Sequence, residues 1–209
     1  MNEILPPDFL FDGPKRSALT LALAHGAGAP MDTPFMAHFA AAIAAAGTRV
    51  ARFEFRYMAA RRLDGKKRPP DREAKLLECW RAVIDQLGAE RLVIGGKSLG
   101  GRMASLVADE TGVRGLLCLG YPFHPPGKPE RLRTAHLADL RTPSLVVQGE
   151  RDPFGTAEEI PGYALSPAIA LHWAPDGDHS LVPRKASGRT AEQNWDEAAE
   201  AIAGFLARL

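Results

Sequence analysis

Short apolar runs alternate with longer amphipathic stretches along most of this chain of 209 residues. Strands separated by helices indicate βαβ units and a parallel sheet. The runs are almost continuously apolar, which is typical of strands that helices cover on both faces. The sequence therefore predicts an α/β fold with a mostly parallel central sheet. Its strands are predicted at 18–24, 49–55, 91–94, 113–119, 144–148 and 168–173, and its helices at 33–46, 71–87, 99–109 and 191–209.

Length and charge narrow the class of protein. The chain has the length of one domain, so residues 1–209 are predicted to form a single domain. A formal net charge of +1 gives no reason to expect nucleic acid or an acidic membrane surface as a partner. Neither a Cys-x-x-Cys pair nor a Cys/His cluster suggests a metal site. We expect a small-molecule substrate and leave the oligomeric state open.

Two sequence features bear on location. Residues 1–13 contain acidic residues and prolines rather than a basic start followed by an apolar run, so we predict no signal peptide. No run approaches the roughly 18 apolar residues of a membrane span. Together these features predict a cytoplasmic protein.

The segment 91–102 carries the strongest chemical signal, a Gly-x-Ser-x-Gly pattern centred on Ser98. An apolar strand precedes it and a helix follows it, which is the context of a nucleophile elbow. Small residues must flank the serine because the turn is tight and strained. A phosphate-binding loop is the alternative for Gly-Lys-Ser, but it needs a glycine at the position that Arg91 occupies. We therefore predict Ser98 as a nucleophile.

A serine hydroxyl needs a base, and in a fold of this kind the acid and then the histidine follow the nucleophile along the chain. Asp152 lies in a turn just past the strand at 144–148, whereas its neighbour Glu150 is closer to the strand end. His179 lies on a short glycine-containing loop after the last strand. The order predicts Asp152 as the acid and His179 as the base.

Acyl transfer also requires donors for a developing oxyanion. The backbone N–H of Leu99, directly after the serine, is the first candidate. The second is expected in the glycine-rich loop at 25–30, where we choose Ala27 and keep Gly26 as the alternative. His25 is expected to brace this loop rather than to titrate in a reaction.

Two long irregular segments are predicted at the carboxyl edge of the sheet, where open α/β sheets bind ligands. The segment 56–70 is basic and either attracts an anionic substrate or is a solvated loop. The proline-rich segment 120–134 is expected to form one wall of a cleft or a rigid surface loop. Its candidate substrate-binding residues are Tyr121, Phe123 and His124.

From residue 18 to the end, the chain resembles the small α/β-hydrolases of the dienelactone-hydrolase branch. More narrowly, it resembles bacterial predicted hydrolases related to a testis-expressed mammalian protein and to a subunit of a chromatin acetyltransferase complex. The motifs that carry the resemblance are His25–Gly28, Gly95–Arg102, Gly120–Pro129, Gln148–Gly155 and Gly177–His179.

The resemblance implies an α/β-hydrolase fold without a separate lid domain and the triad Ser98, Asp152 and His179. It names no substrate, and dienelactone hydrolase itself uses cysteine where this chain has Ser98. We therefore predict a cofactor-independent serine hydrolase acting on a small ester, thioester or related acyl bond. The alternative is a non-catalytic binding or scaffold protein with the same fold.

Overall fold

The computed structural model describes residues 7–209, so residues 1–6 of the predicted N-terminal segment and single domain lie outside it. The strands of the described part are β1 (Phe9–Asp12), β2 (Thr20–Ala24), β3 (Arg49–Phe53), β4 (Leu92–Lys97), β5 (Gly115–Leu119), β6 (Ser144–Gly149) and β7 (Ile169–Ala174). Its α-helices are α1 (Pro34–Ala45), α2 (Arg56–Asp64), α3 (Glu73–Leu87), α4 (Leu99–Ser105), α5 (Ala108–Thr111) and α6 (Ala191–Leu206).

The seven strands that lie within residues 7–209 form one sheet in the order β1-β3-β2-β4-β5-β6-β7. All neighbours pair in parallel except β1, which runs antiparallel to β3 at the edge. The α/β fold with a mostly parallel sheet is confirmed. Strand β1 was not predicted, since it is short and exposes Leu10 and Phe11 instead of forming a buried run.

Helices cover both faces of the sheet. Because successive strand residues point to opposite faces, Leu21 and Leu23 pack against α1 and α6, whereas Ala22 and Ala24 pack against the face that carries α3 and α4. This two-sided burial explains why the strands are continuously apolar.

Local sequence signals set the ends of the covering helices. Thr33 caps α1 through a bond from the Met36 N–H to its hydroxyl, and Pro34 follows as the first helical residue, as predicted. Thr190 and Gln193 form a reciprocal capping box at the start of α6.

Two predicted segments differ from the structure. The segment 56–70 is not wholly irregular, because residues 56–64 form α2, which ends at Gly65 in a left-handed conformation. The helix predicted at 99–109 is interrupted after Ser105, where i→i+3 hydrogen bonds tighten the chain before α5 begins. The first difference bears on the carboxyl edge of the sheet, because α2 packs behind the loop at 25–30.

Candidate active site

Ser98 sits at a sharp turn between β4 and α4, with a φ of 50° that is unusual for a residue with a side chain. The flanking glycines permit this turn. A Cβ on Gly96 would lie 2.3 Å from the carbonyl oxygen of Ala24, and one on Gly100 would lie 2.7 Å from the same atom. The strained turn that the sequence predicts is therefore present, and it holds the Ser98 hydroxyl above the sheet edge.

The structure brings Ser98, His179 and Asp152 into one hydrogen-bonded chain. The His179 Nε2 lies 2.9 Å from the Ser98 Oγ, and the His179 Nδ1 lies 2.8 Å from Oδ2 of Asp152. A carboxylate can only accept, so Nδ1 donates to Asp152 and Nε2 is left to accept the serine proton. The arrangement can therefore move a proton from the hydroxyl to the imidazole.

Asp152 is fully buried, and every bond that holds it comes from its own turn, the preceding strand or His179. The Gln148 side-chain amide donates to Oδ2 at 2.9 Å, and the Phe154 backbone N–H donates to Oδ1 at 2.9 Å. These donors compensate a buried carboxylate and fix its direction. Glu150, the rejected alternative, accepts from the Asp176 N–H instead of facing His179.

The loop of His179 is anchored from two sides. Asp178 accepts the N–H groups of Ser180 and Val182 through its Oδ1, which closes the turn. From α6, the buried Asn194 donates to the Leu181 carbonyl, and the Trp195 indole donates to the Ser180 carbonyl. These contacts fix the imidazole relative to the sheet.

The carbonyl groups of the loop at 25–30 are held from behind. His25 and Tyr57 donate to the Gly26 carbonyl at 2.6 and 3.4 Å, and Tyr57 donates to the Ala27 carbonyl at 3.0 Å. In a trans peptide the N–H points opposite to the carbonyl. Because Gly26 and Ala27 share a peptide, the Ala27 N–H therefore points away from Tyr57.

His25 itself is buried between this loop and the segment that follows β3. Its Nδ1 donates to the Gly26 carbonyl, while its Nε2 accepts the Phe55 N–H at 3.1 Å. Burial lowers the pKa of His25, so the ring stays neutral with the proton on Nδ1. The expected bracing role is consistent with these bonds.

Two backbone donors adjoin Ser98. Among residues 7–209, neither the Leu99 N–H nor the Ala27 N–H has a hydrogen-bond acceptor. A Cβ built on Gly26 would lie 3.8 Å from the Ser98 Cβ, which places this loop against the serine. The two N–H groups are thus available to an oxyanion formed at Ser98.

A cleft of about 450 Å³ opens over Ser98 and His179. Its walls come from residues 26–30, the start of α1, Phe154 and Ser180, and they are mostly apolar. The Phe154 ring also packs on the imidazole of His179, with ring centroids 4.2 Å apart. The volume suits a small substrate with an apolar body.

The expected substrate contacts of the segment 120–134 are not found in this cleft. Tyr121 and Phe123 are fully buried and pack on one another in the core. His124 is 2% exposed, and its ring bonds to the Pro125 carbonyl. These side chains point into the core, and the Tyr121 N–H donates to the side-chain oxygen of Gln148.

Two arginines of the basic segment 56–70 form ion pairs with carboxylates. Arg62 pairs with Glu54 and Asp32, and Arg68 pairs with Asp64. These carboxylates compensate two of the cations that were expected to attract a substrate.

A second serine–histidine pair lies outside the cleft. The Ser105 Oγ is 2.8 Å from the His136 Nε2, and it donates its proton to the Arg102 carbonyl at 2.7 Å. Ser105 is 3% exposed, and no carboxylate of residues 7–209 is bonded to His136. Substrate has no access to this hydroxyl, so the pair is a structural contact.

Sequence reasoning missed three residues of the site, namely Gln148, Asn194 and Lys97. Gln148 had a signal, since it is a polar residue in the apolar strand β6 and is fully buried. Lys97 also had a sequence signal, because it is a charged residue at the end of the otherwise uncharged strand β4. Asn194 lies on α6 without any such signal.

Within the described residues, no group of three or more His, Cys, Asp or Glu side chains is placed to hold a metal ion. The helices found there include none that is long and apolar enough to cross a membrane.

Fold and site together define a hydrolase of the α/β class. Residues 17–207 match the model of the family described as "Alpha/beta hydrolase domain", and the chain belongs to that family.

Solved structures share the fold at low sequence identity. An α/β serine hydrolase homologue from Coxiella burnetii matches with a TM-score of 0.71 and 18% identity, over 96% of this chain and 90% of that one. A serine hydrolase without a lid from Xanthomonas campestris matches with a TM-score of 0.68 and 18% identity, over 98% of this chain and 93% of that one. Dienelactone hydrolase from Anabaena variabilis matches with a TM-score of 0.68 and 17% identity, over 95% of this chain and 89% of that one.

Proposed function

We propose that this protein is a serine hydrolase that cleaves a small ester, thioester or related acyl bond. One observation carries the proposal: the Ser98 Oγ, the His179 ring and the buried Asp152 carboxylate form a continuous chain of bonds of 2.9 and 2.8 Å, and Ser98 and His179 line a cleft. A serine activated by a histidine that a carboxylate orients is a nucleophile for acyl transfer.

In the first half-reaction, the Ser98 Oγ attacks the acyl carbon while its proton moves to the His179 Nε2. Asp152 stabilises the imidazolium that results and keeps the proton of Nδ1 in place. The carbonyl oxygen becomes an oxyanion, for which the Leu99 and Ala27 N–H groups are the proposed donors. The leaving group then takes the proton from Nε2, and an acyl-enzyme ester remains.

The second half-reaction uses the same groups. Water gives a proton to the His179 Nε2 and attacks the acyl carbon, the Ser98 oxygen leaves and recovers that proton, and a carboxylic acid is released. The sum is hydrolysis of one acyl bond by one water molecule. The mostly apolar cleft of about 450 Å³ favours a short acyl group.

A fluorophosphonate probe tests the proposal, because it modifies only an activated serine. We expect one covalent adduct, located by mass spectrometry on the peptide containing Ser98, and no adduct in Ser98→Ala. Ser105→Ala is the matched control: Ser105 also contacts a histidine but is buried, so labelling should persist.

A panel of short-chain esters and thioesters assayed on the same proteins then identifies the bond type. Absence of labelling together with absence of turnover across the panel would reject the proposal in favour of the scaffold alternative. The narrower relationship to the testis-expressed protein and the acetyltransferase subunit, and the cytoplasmic location, stay predictions.

A further inference from the structure

Lys97 is a cationic residue in the lining of a cleft that is otherwise mostly apolar. It is the last residue of β4, directly before Ser98, and its side chain lines the same cleft. Among the described residues that form the cleft walls, it is the single lysine or arginine. The mechanism proposed above does not use this charge.

The Lys97 ammonium has few hydrogen-bond acceptors around it in the described part of the chain. It donates to the His179 backbone carbonyl and lies 5.4 Å from the centre of the Phe35 ring. No carboxylate within residues 7–209 lies within 4.0 Å of it. An ammonium has three donors, so two have no protein acceptor among the described residues.

The nearby carboxylates do not take the role of a counter-ion. Asp152 is already bonded to His179, Gln148 and the Phe154 N–H, and Asp178 closes its own turn. Their charges oppose the effect of burial, which nevertheless lowers the pKa of Lys97 to about 8. The group therefore remains mostly charged at neutral pH while it is poorly solvated.

We propose that Lys97 recognises a carboxylate or a similar anionic group on the substrate, so that the cleft selects esters carrying one negative charge beside an apolar body. This rests on the proposed function, since the selected molecule is the substrate of Ser98. An anion in the cleft would accept the free ammonium donors, and a charge-assisted bond in a poorly hydrated site is stronger than one in water.

The bond from Lys97 to the His179 carbonyl suggests a competing role, in which the lysine only positions the loop of the base. That role would affect charged and neutral substrates alike. A ratio of kcat/KM values for two esters that differ in one carboxylate cancels any common loss. The ratio therefore reports recognition alone.

Two matched pairs of esters test the proposal. The first pair is the para-nitrophenyl monoester of adipic acid and para-nitrophenyl hexanoate, which differ in a carboxylate on the acyl part. The second is para-acetoxybenzoate and phenyl acetate, which differ in a carboxylate on the leaving group. Each is assayed with the wild type and with Lys97→Met, which keeps the length and apolar stem of the side chain.

We expect the wild type to prefer the anionic member of one pair, and that pair identifies the part of the substrate that meets Lys97. In Lys97→Met, the preference should fall by roughly tenfold to a hundredfold, the range expected for loss of one charge-assisted bond. Lys75→Met, which removes an exposed charge on α3, should keep the wild-type ratio. An equal loss for both members of each pair, or no preference in the wild type, overturns the proposal.

A binding measurement separates this proposal from the proposed function. Monomethyl adipate and methyl hexanoate, and the two acetate esters, are titrated calorimetrically into Ser98→Ala and into Ser98→Ala/Lys97→Met. Tighter binding of an anionic ester that Lys97→Met abolishes supports recognition even if the wild type hydrolyses nothing. Hydrolysis without any such difference supports the hydrolase and rejects the role of Lys97.

Discussion

Gln148 donates its side-chain amide to Oδ2 of Asp152 at 2.9 Å, and the same oxygen accepts the Nδ1–H of His179. The Tyr121 and Gly155 carbonyls also lie within hydrogen-bond distance of the amide nitrogen, which shares its two hydrogens among three acceptors, and the amide oxygen accepts the Tyr121 N–H at 2.8 Å. The buried Gln148 side chain thus connects the turn that carries Asp152 to the start of the segment after β5 through hydrogen bonds. It orients a carboxylate that is itself inaccessible to water.

Gln148→Glu tests whether these hydrogen bonds support Asp152. The change keeps the shape of the side chain but replaces an N–H donor with an oxygen and puts a second carboxyl group beside Asp152. We expect kcat/KM to fall by roughly tenfold or more, because Asp152 then holds His179 less well. Stability should fall by about 1–3 kcal/mol, the usual cost of buried groups left without partners.

Enzyme assays and denaturant unfolding of the same protein measure the two effects. Gln86→Glu, on the exposed surface of α3, is the matched control and should change neither. Full activity and full stability of Gln148→Glu would show that the amide does not support Asp152.

Asp152→Asn should preserve the fold and reduce kcat by on the order of a thousandfold or more. The amide no longer stabilises the cation on His179 and permits the wrong tautomer. Steady-state kinetics measure the loss, and Glu150→Gln is the control, since Glu150 binds the Asp176 N–H. If Glu150→Gln were the inactive variant and Asp152→Asn the active one, the assignment of the acid would be wrong.

Tyr57→Phe removes the hydroxyl that holds the Gly26 and Ala27 carbonyls. Burial raises the pKa of Tyr57, so this hydroxyl stays protonated and keeps donating. Without it the Ala27 N–H is less firmly oriented, and we expect kcat to fall by roughly tenfold with a smaller change in KM.

Tyr163→Phe is the matched control, because the Tyr163 hydroxyl is buried without a hydrogen-bond partner in the described part of the chain. Its kcat should stay close to that of the wild type. Equal kinetics in the two variants would mean that Tyr57 does not position the oxyanion loop.

The central arrangement could be predicted from sequence because each part has a local signal. Gly96 and Gly100 mark the turn around Ser98. A side chain at either position would clash with the Ala24 carbonyl oxygen. Asp152 and His179 follow late strands in the order that this fold requires. Chain order and glycine spacing together place them at one sheet edge.

The supporting contacts could not be predicted, since they join segments that are distant in sequence. Tyr57 reaches Ala27 from α2, and that helix was missed because four of its nine residues are charged and it buries only Tyr57 and Met58. Tyr121 and Phe123 were assigned to the cleft because loops at this edge usually face ligand. The structure instead packs both rings into the core, and the Tyr121 N–H bonds to Gln148 on the neighbouring strand β6.

The preference for an anionic ester should depend on pH through Lys97. Its pKa is lowered from 10.5 to about 8 by burial, while Asp152 and Asp178 oppose that change. Below pH 8 the ammonium is charged and recognises the carboxylate, and above it the neutral amine does not. The ratio of kcat/KM for the adipate monoester to that for the hexanoate should therefore fall as pH rises through about 8.

Measuring both esters at each pH removes the pH dependence of the shared catalytic step and the alkaline reactivity of the esters, since these act on both substrates alike. The carboxylate of adipate is already ionised at pH above about 6, so its own charge does not change in this window. Lys97→Met should give a low ratio that is flat with pH, whereas Lys75→Met should reproduce the wild-type curve. A ratio that stays constant from neutral pH to about 10 in the wild type would show that the Lys97 charge does not select the substrate.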